Sequence, residues 1–171
     1  NVPGESELAG AGVSYCATCD GAFFKNRTVA VVGGGDVAIE DAIFLARSCK
    51  KVYLIHRRDS FRGADKLVKA VQSTENIEII YDSVVEAIHG EDNVDSITIK
   101  NVKSGENSEL AVQGVFVAVG THPTTDYLQG LIECDEKGYI IADESGTTNI
   151  PGVYAAGDVR KKRLRQIITA A

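Results

Sequence analysis

The clearest hydrophobic pattern in the chain lies between residues 28 and 48. Residues 28–32 are a short apolar run bounded by turn-forming residues, which predicts a strand buried on both faces of a parallel sheet. Residues 36–48 repeat apolar side chains at helical spacing, with charged side chains between them, and predict a helix with one apolar face. The apolar positions of this helix are Val37, Ile39, Ile43, Phe44 and Ala46.

The alternation of strand and helix continues along the chain. Residues 52–55 and 77–81 are further apolar runs of strand length, and residues 65–73 between them have helical spacing. The predicted order is therefore β-α-β-α-β, which implies right-handed crossovers and a parallel sheet. We expect an α/β, Rossmann-like fold.

Shorter segments with strand-like alternation follow. Residues 84–89, 94–102 and 109–112 are separated by turn formers and predict an antiparallel meander. Residues 115–119 return as an apolar strand, and the pattern weakens beyond Pro123. Later segments of interest are an amphipathic stretch at 127–131, apolar runs at 139–141 and 153–158, a basic run at 160–165 and an expected helix over 166–171.

Composition narrows the function classes. The 171 residues carry a formal charge of −6, which argues against a general nucleic-acid binder. No apolar run approaches the roughly 20 residues that a membrane span requires. Four cysteines at irregular spacing do not form a secreted disulfide scaffold, so we expect a cytoplasmic protein. The start at Asn1 and the lack of Met suggest a piece of a longer protein.

The glycine turn, residues 33–38, joins the first strand to the first helix. Its sequence Gly33-Gly34-Gly35-Asp36-Val37-Ala38 fits the G-x-G-x-x-G/A pattern of dinucleotide sites. Gly33 would allow the tight turn, Gly35 would let a pyrophosphate approach the backbone, and Ala38 would keep helix and strand close. The helix N-terminus would offer free N–H groups to phosphate. The alternative is a purely structural glycine turn.

The arginine loop, residues 56–62, follows the second strand. An NAD site would place Asp or Glu there to bind the ribose 2′-OH, whereas this loop has His56-Arg57-Arg58 and then Arg62. Guanidinium groups bind phosphate bidentately and keep their charge, so the loop favours NADPH. A solvated basic loop is the alternative.

The dithiol segment, residues 15–21, contains a Cys-x-x-Cys pair formed by Cys16 and Cys19. Such a pair can be redox-active, half of a zinc site, or structural. Zinc is disfavoured because no second ligand pair has suitable spacing. For redox chemistry one thiol attacks and the other resolves, and Asp20 is placed in sequence to handle the proton.

Two further expectations concern the surroundings of this pair. Phe23 and Phe24 are expected to anchor the segment to a core. Cys49 is expected to be a small buried hydrophobe and Cys134 a bystander.

These motifs together resemble one family, the low-molecular-weight thioredoxin reductases of bacteria, archaea and plants. The resemblance is carried by Tyr15 to Gly21, Gly33 to Ala38, His56 to Arg62, and Gly157-Asp158-Val159 with Arg165-Gln166. It covers essentially all of this chain but only about the C-terminal half to two-thirds of a family chain. One departure is Val37, where the family more often has a small or polar residue.

The resemblance implies an electron path from NADPH through FAD and a redox-active disulfide to thioredoxin, in a cytoplasmic enzyme of cell redox homeostasis. Cys19 would exchange electrons with the flavin, Cys16 would attack the thioredoxin disulfide, and Asp20 would be the acid–base group. The full-length protein would be a homodimer without nucleic-acid or membrane partners. This chain alone would be inactive, because the N-terminal half of the FAD domain is absent.

The resemblance also implies domains and cofactor residues. Residues 1–12 would be a linker from the FAD domain, 13–122 the NADPH domain with its parallel sheet and meander, and 123–171 a returning part of the FAD domain. The expected NADPH residues are Gly33, Gly34, Gly35, Asp36, Val37, Ala38, Glu40, His56, Arg57, Arg58, Arg62 and Gly120. The expected FAD residues are Gly157, Asp158, Arg165, Gln166 and Ile167. No metal site is expected.

Two other functions remain as alternatives. The flavoprotein partner of alkyl hydroperoxide reductase shares the dithiol and fold, but it normally lacks the His-Arg-Arg cluster and prefers NADH. A nicotinamide-binding module without enzyme activity is the second alternative, and the dithiol argues against it for the full-length protein.

Overall fold

The computed structural model describes residues 1–128 and 130–162 of the chain. It contains two compact units, Asn1–Val119 and Gly120–Ala171. The strands of the described residues are β1 (Val13–Ser14), β2 (Thr28–Val32), β3 (Lys51–Ile55), β4 (Ile77–Ile80), β5 (Ser83–His89), β6 (Ser96–Asn101), β7 (Asn107–Ala111) and β8 (Gly114–Val117). The α-helices are α1 (Ala17–Asp20), α2 (Asp36–Ala46) and α3 (Asp65–Gln72), and 3₁₀ helices span Gly21–Phe24, Asp126–Leu128 and Gly157–Val159.

The first unit contains a parallel sheet with the order β1-β8-β2-β3-β4. Strand β2 lies at its centre, paired in parallel with β3 on one side and β8 on the other. The apolar run of β2 is buried because helices cover one face of the sheet and further strands cover the other, as expected for a parallel sheet. The predicted β-α-β-α-β order is confirmed, whereas the two-residue strand β1 was not predicted.

The second sheet of this unit is the predicted antiparallel meander, with the order β5-β6-β7. A register shift between Val85 and Ala87 marks an irregularity in β5. Ile88, Ile97 and Ile99 turn one face of this sheet toward Ala30 and Val115 of the parallel sheet. The unit therefore has three layers, namely helices, a parallel sheet and an antiparallel sheet. The predicted α/β, Rossmann-like class is confirmed.

The helical layer packs mainly through α2. Its buried residues are Ala38, Ile39, Ala42 and Leu45. The predicted inward position of Val37 is wrong, since this side chain is 63% exposed. Val37 lies in the first turn of the helix, and the apolar face that covers the sheet starts one residue later at Ala38.

The predicted anchoring role of the two phenylalanines is half correct. Phe24 is buried and packs edge-to-face on Phe116 with ring centroids 5.2 Å apart. Phe23 is 77% exposed, so its prediction as a core anchor is wrong. The two residues follow each other in a 3₁₀ helix, where neighbouring side chains point in different directions.

Residues 1–12, expected to be a linker, belong to the first compact unit. Leu8 is 4% exposed and joins the cluster between the two sheets. The Ile88 amide donates to the Pro3 carbonyl at 2.9 Å, and the Val94 amide donates to the Ala11 carbonyl at 3.0 Å. These contacts tie the segment to the meander.

The second unit has little regular structure among its described residues. Tyr139 and Ile140 are buried, and the Thr125 hydroxyl donates to the Gly138 carbonyl at 2.6 Å. In the apolar run at 139–141, Ile140 forms isolated β-bridges with Cys134 and with Arg160. The described part of the amphipathic stretch at 127–131 includes the end of a 3₁₀ turn, Asp126–Leu128. The helix predicted over 166–171 lies outside the described residues.

Within the described part of the chain, every helix is too short or too polar to span a bilayer.

Candidate functional site

The glycine turn closes tightly between β2 and α2. Gly33 has a φ of +155°, and a Cβ placed there would lie 2.7 Å from the Cβ of Ala38 and even closer to the Ala118 carbonyl. Ala38 itself is completely buried. The turn therefore needs a residue without a side chain at 33 and a small one at 38, as the sequence pattern predicted.

Gly34 is closely surrounded by other atoms, whereas Gly35 is open. A Cβ on Gly34 would overlap the imidazole of His56, whereas a Cβ on Gly35 would meet no described atom within 4 Å. Gly35 is also the N-cap of α2, and its helix has no side-chain cap among the described residues. The turn thus offers open space at Gly35 and uncapped N–H groups beside it, which is a suitable cradle for an anionic pyrophosphate.

His56 is a buried residue that holds the arginine loop in place. Its side chain is 7% exposed, its ring stacks on Phe61 at 5.3 Å, and its Nε2 lies 3.0 Å from the Ser60 carbonyl oxygen. Because a carbonyl only accepts, Nε2 donates this hydrogen bond. Burial lowers the pKa of His56 below its ordinary value, and the nearby Arg58, Arg57 and Arg62 cations lower it further. The imidazole is therefore neutral at pH 7.

The arginine loop presents three cations that no carboxylate of the described residues pairs with. Arg57 and Arg62 are exposed and Arg58 is half-buried. Within the described residues none of the three forms a salt bridge, because the acid of the loop, Asp59, is paired with Lys103 at 3.3 Å.

Lys103 also binds Asp82 at 2.9 Å, which links the loop to the meander. The Lys103 ammonium lowers the pKa of Asp59. The backbone joins the arginine loop to the glycine turn through the Arg62 amide, which donates to the Gly34 carbonyl at 3.1 Å.

The remaining residues expected at this site are more dispersed. Asp36 is exposed and its Oδ1 accepts from the Ala64 amide at 2.8 Å, so it holds the start of α3. Glu40 is exposed on α2. Gly120 has a φ of +100° and is the first residue of the second unit.

The dithiol segment forms a single helical turn. Cys16 and Cys19 are joined in a disulfide with an S–S distance of 2.03 Å and a Cα–Cα distance of 5.2 Å. Cys16 is the N-cap of α1, and its sulfur accepts from the Cys19 amide at 3.2 Å. The Thr18 hydroxyl lies 3.4 Å from the same sulfur and donates to it, since a disulfide sulfur has no proton. Cys19 is exposed.

Asp20 is held by a residue that sequence reasoning missed. The hydroxyl of Ser14 donates to Asp20 Oδ2 at 2.6 Å, and Ser14 is 5% exposed. The available signal was a Ser two residues before Cys16 and directly after Val13, since a hydroxyl that becomes buried there needs a hydrogen-bond partner.

The dithiol segment rests on the helix that begins at the glycine turn. Ala17 of α1 is buried in the same cluster as α2. A Cβ on Gly21 would lie 2.9 Å from Leu45 Cδ2 and 3.2 Å from Phe44 Cε1, so the chain passes close to α2 there. One helix thus supports both candidate sites, with its N-terminus at the turn and its flank against the dithiol segment.

The other cysteines are separate from this arrangement. Cys49 is buried and its thiol donates to the Phe24 carbonyl at 3.3 Å, which confirms its packing role. Burial raises the pKa of the Cys49 thiol. Cys134 is a half-exposed free thiol of the second unit. In residues 1–128 and 130–162, no three His, Cys, Asp or Glu side chains converge to hold a metal ion.

The second unit contains part of the expected flavin motif. Gly157 has a φ of +78° and faces open space, and Asp158 is exposed with Lys162 at 3.5 Å from its Oδ1. The expected flavin residues Arg165, Gln166 and Ile167 lie outside the described residues.

The fold and the site together define a nucleotide-binding α/β domain that carries a redox-type disulfide. Comparison with known proteins is consistent with this class. The chain belongs to the pyridine nucleotide-disulphide oxidoreductase family, whose sequence profile matches residues 1–171.

Individual relatives are more specific. The chain is 48% identical over 168 residues to a thioredoxin reductase of Listeria innocua, covering 98% of this chain and 53% of that protein. It is 45% identical over 174 residues to a thioredoxin reductase of Peptoclostridium acidaminophilum, covering 98% of this chain and 55% of that protein.

A solved structure agrees with these sequence relatives. The crystal structure of thioredoxin reductase from Streptococcus pyogenes matches with a TM-score of 0.91 and 47% identity, over 99% of this chain and 56% of that one. The resemblance inferred from the motifs is confirmed. The chain spans about half the length of the curated relatives it matches.

Proposed function

We propose that the full-length protein is a thioredoxin reductase that passes electrons from NADPH through FAD and the Cys16–Cys19 pair to the disulfide of thioredoxin. The observation that carries the proposal is that the disulfide segment packs against helix α2, whose N-terminus follows the glycine turn, within one compact unit. The relatives that bear this name support the same activity.

NADPH would bind at the glycine turn and the arginine loop. The uncapped N-terminus of α2 and the open space at Gly35 would hold the pyrophosphate. Arg57, Arg58 and Arg62 would bind the 2′-phosphate, since these guanidinium groups lack a salt-bridge partner among the described residues. His56 would keep the loop in place through Ser60, without contributing charge.

FAD would be held in part by the second unit. Gly157 and Asp158, an open backbone position and an exposed carboxylate, would contact the phosphate and ribityl side of the flavin. Bound together, NADPH and FAD supply the electron pair that reduces the Cys16–Cys19 disulfide. Arg165, Gln166 and Ile167 stay predicted flavin residues.

The chain's own residues then carry out thiol–disulfide exchange. The Cys16 thiolate attacks one sulfur of the thioredoxin disulfide, that bond breaks, and the second thioredoxin sulfur leaves and takes up a proton. The Cys19 thiolate attacks the Cys16 sulfur, which restores the Cys16–Cys19 disulfide and releases the other thioredoxin sulfur with a second proton. Asp20 holds and returns the proton removed from a cysteine thiol. The Cys19 amide and the Thr18 hydroxyl donate to the Cys16 sulfur and would stabilise its thiolate.

The setting of the enzyme is part of the proposal. We place it in the cytoplasm, acting on thioredoxin as a homodimer, without nucleic-acid or membrane partners. The free thiol of the buried Cys49 and the irregular spacing of the four cysteines support a reducing compartment.

The test is steady-state oxidation of NADPH by the full-length protein with and without oxidised thioredoxin. We expect turnover that requires thioredoxin and that falls strongly when NADH replaces NADPH. Preference for NADH, with electrons passed to a peroxidase partner instead of thioredoxin, would contradict the proposal and favour the hydroperoxide-reductase alternative.

A further inference from the structure

Ser14 connects the two ends of the dithiol segment. Its side chain is 5% exposed, and β1 fixes its position by pairing in parallel with β8, where Ser14 lies opposite Phe116. The Ser14 hydroxyl accepts from the Cys16 amide at 3.1 Å and donates to Asp20 Oδ2 at 2.6 Å. A single buried hydroxyl therefore joins the first cysteine to the carboxylate at the end of α1.

The chemistry of the groups determines the direction of these hydrogen bonds. The backbone N–H of Cys16 only donates and a carboxylate only accepts, so the proton of Ser14 goes to Asp20. The Cys16 carbonyl, 3.4 Å away, is the more distant acceptor for that proton. Hydrogen bonds in such a chain polarise one another, and a bond to an ionised acceptor is roughly twice as strong as a neutral one.

We propose that Ser14 is a positioning residue that holds the Asp20 carboxylate for proton transfer during thiol–disulfide exchange, an inference that rests on the proposed function. Oδ2 of Asp20 is bound by Ser14, whereas Oδ1 accepts no hydrogen bond from the described residues. Oδ1 is thus the oxygen free to take a proton from a cysteine thiol. Without the hydroxyl, the carboxylate can rotate and the Cys16 amide loses its acceptor.

The test uses the 171-residue chain and a small disulfide, so it requires neither flavin nor thioredoxin. The chain is reduced with dithiothreitol and desalted, and re-formation of the Cys16–Cys19 disulfide by excess hydroxyethyl disulfide is followed across a pH series. The variants are Ser14→Ala, Asp20→Asn and the double variant. Ser73→Ala is the control, since it removes an exposed hydroxyl that donates to the Ala70 carbonyl in α3.

We expect Ser14→Ala to slow the reaction by about tenfold, the equivalent of one hydrogen bond to a charged group, and to change the pH–rate profile as Asp20→Asn does. Ser14→Ala should slow the reaction much less when Asp20 is already Asn than in the wild type, because its effect through the Asp20 carboxylate is then gone and only the lost acceptor of the Cys16 amide remains. Ser73→Ala should leave the rate unchanged.

Ser14→Thr and Ser14→Val complete the design, because they share one shape and differ in the hydroxyl. The Thr variant should react faster than the Val variant. If Ser14→Ala does not fold, the comparison of these two variants replaces it as the test. Additive slowing in the double variant, or equal rates for Thr and Val, would overturn the role of Ser14. If Asp20→Asn alone has no effect, the proposed acid–base role of Asp20 fails, and the inference fails with it.

Discussion

The glycine turn and the dithiol segment lie in the same unit but are held in different ways. The turn is shaped by its backbone, since β2 and α2 meet so closely that side chains are excluded at Gly33 and Gly34. The dithiol segment is shaped by side chains, since a buried hydroxyl, a disulfide and a carboxylate fix one short turn. Binding of an anion at the glycine turn therefore depends on main-chain geometry, and the redox site depends on individual polar contacts.

This difference predicts that the two sites can be damaged separately. The largest effect is expected from replacing Arg57 and Arg58 with Ala, because each charge-assisted bond to the 2′-phosphate contributes about 1.5–3 kcal/mol. NADPH affinity of the 171-residue chain should fall by at least roughly a hundredfold, whereas NADH affinity should change little. Isothermal titration with both nucleotides measures this, and Arg47→Ala, an exposed arginine at the far end of α2, is the control.

Equal weakening of NADPH and NADH would refute the assignment of the 2′-phosphate to this loop. The rate at which hydroxyethyl disulfide oxidises the reduced dithiol should be the same in the double arginine variant and the wild type. Slower oxidation of the dithiol in the double arginine variant would show that the two sites are not independent.

The next prediction uses neighbouring glycines as a matched pair. Gly34→Ala should destabilise the fold by about 1–3 kcal/mol, because the new methyl group collides with the His56 ring. Gly35→Ala should leave the free energy of unfolding nearly unchanged, since its Cβ meets no described atom within 4 Å, but should weaken NADPH binding by about tenfold through contact with the pyrophosphate.

Urea unfolding and nucleotide titration of both variants separate these effects. Normal NADPH binding by the Gly35→Ala variant would place the pyrophosphate elsewhere. Unchanged stability of the Gly34→Ala variant would mean that His56 moves easily and does not support the loop.

A smaller effect is expected from the titration of His56. Its pKa is lowered in the folded chain, mainly by burial, from an ordinary value of 6.5. The unfolded chain then binds a proton that the folded chain does not, so the contribution to stability is complete above pH 6.5 and is lost as the pH falls through the window below it. The free energy of unfolding, measured with urea across this pH window, should depend less on pH for His56→Gln than for the wild type.

The smallest effect is expected at Asp41, on the helix that both sites share. Burial, with a contribution from the charge of Glu40, raises the pKa of Asp41 from 3.8 to about 6. Stability from the neutral carboxyl is present below pH 3.8 and is lost as the pH rises through about 6. Asp41→Asn should therefore stabilise the chain at neutral pH by on the order of 1 kcal/mol, after allowance for solvent screening of a half-buried group.

The stabilisation by Asp41→Asn should disappear in acid, where the wild-type carboxyl is also neutral. Thermal unfolding at neutral and acidic pH is sufficient to check this. An equal gain in stability at neutral and acidic pH would mean that the substitution acts through packing and not through ionisation.

The same difference between the two sites explains what sequence could predict. The parallel sheet, the meander and the glycine turn follow from local patterns, such as the apolar run of residues 28–32 and the glycines that follow it. The partner of Asp20 did not follow, because Ser14 is brought to it by the pairing of β1 with β8, far along the chain.

Other details depended on packing in the same way. Val37 and Phe23 are apolar but exposed. Whether an apolar side chain of a helix is buried depends on what the rest of the fold packs against its side of the helix. His56 looked like a phosphate ligand in sequence, yet its ring is buried behind Gly34 and its nitrogen binds Ser60. Contacts of this kind join residues that no periodicity relates.

The central claim is that Cys16 and Cys19 connect a nicotinamide-reduced flavin to thioredoxin, and the absorbance of the full-length protein tests it most directly. NADPH should bleach a flavin spectrum, and oxidised thioredoxin should then restore it, within one turnover. In the Cys16→Ser variant NADPH should still bleach the flavin, but thioredoxin should not restore it. A flavin that thioredoxin reoxidises normally in the Cys16→Ser variant, or a protein without a flavin spectrum, would contradict the account.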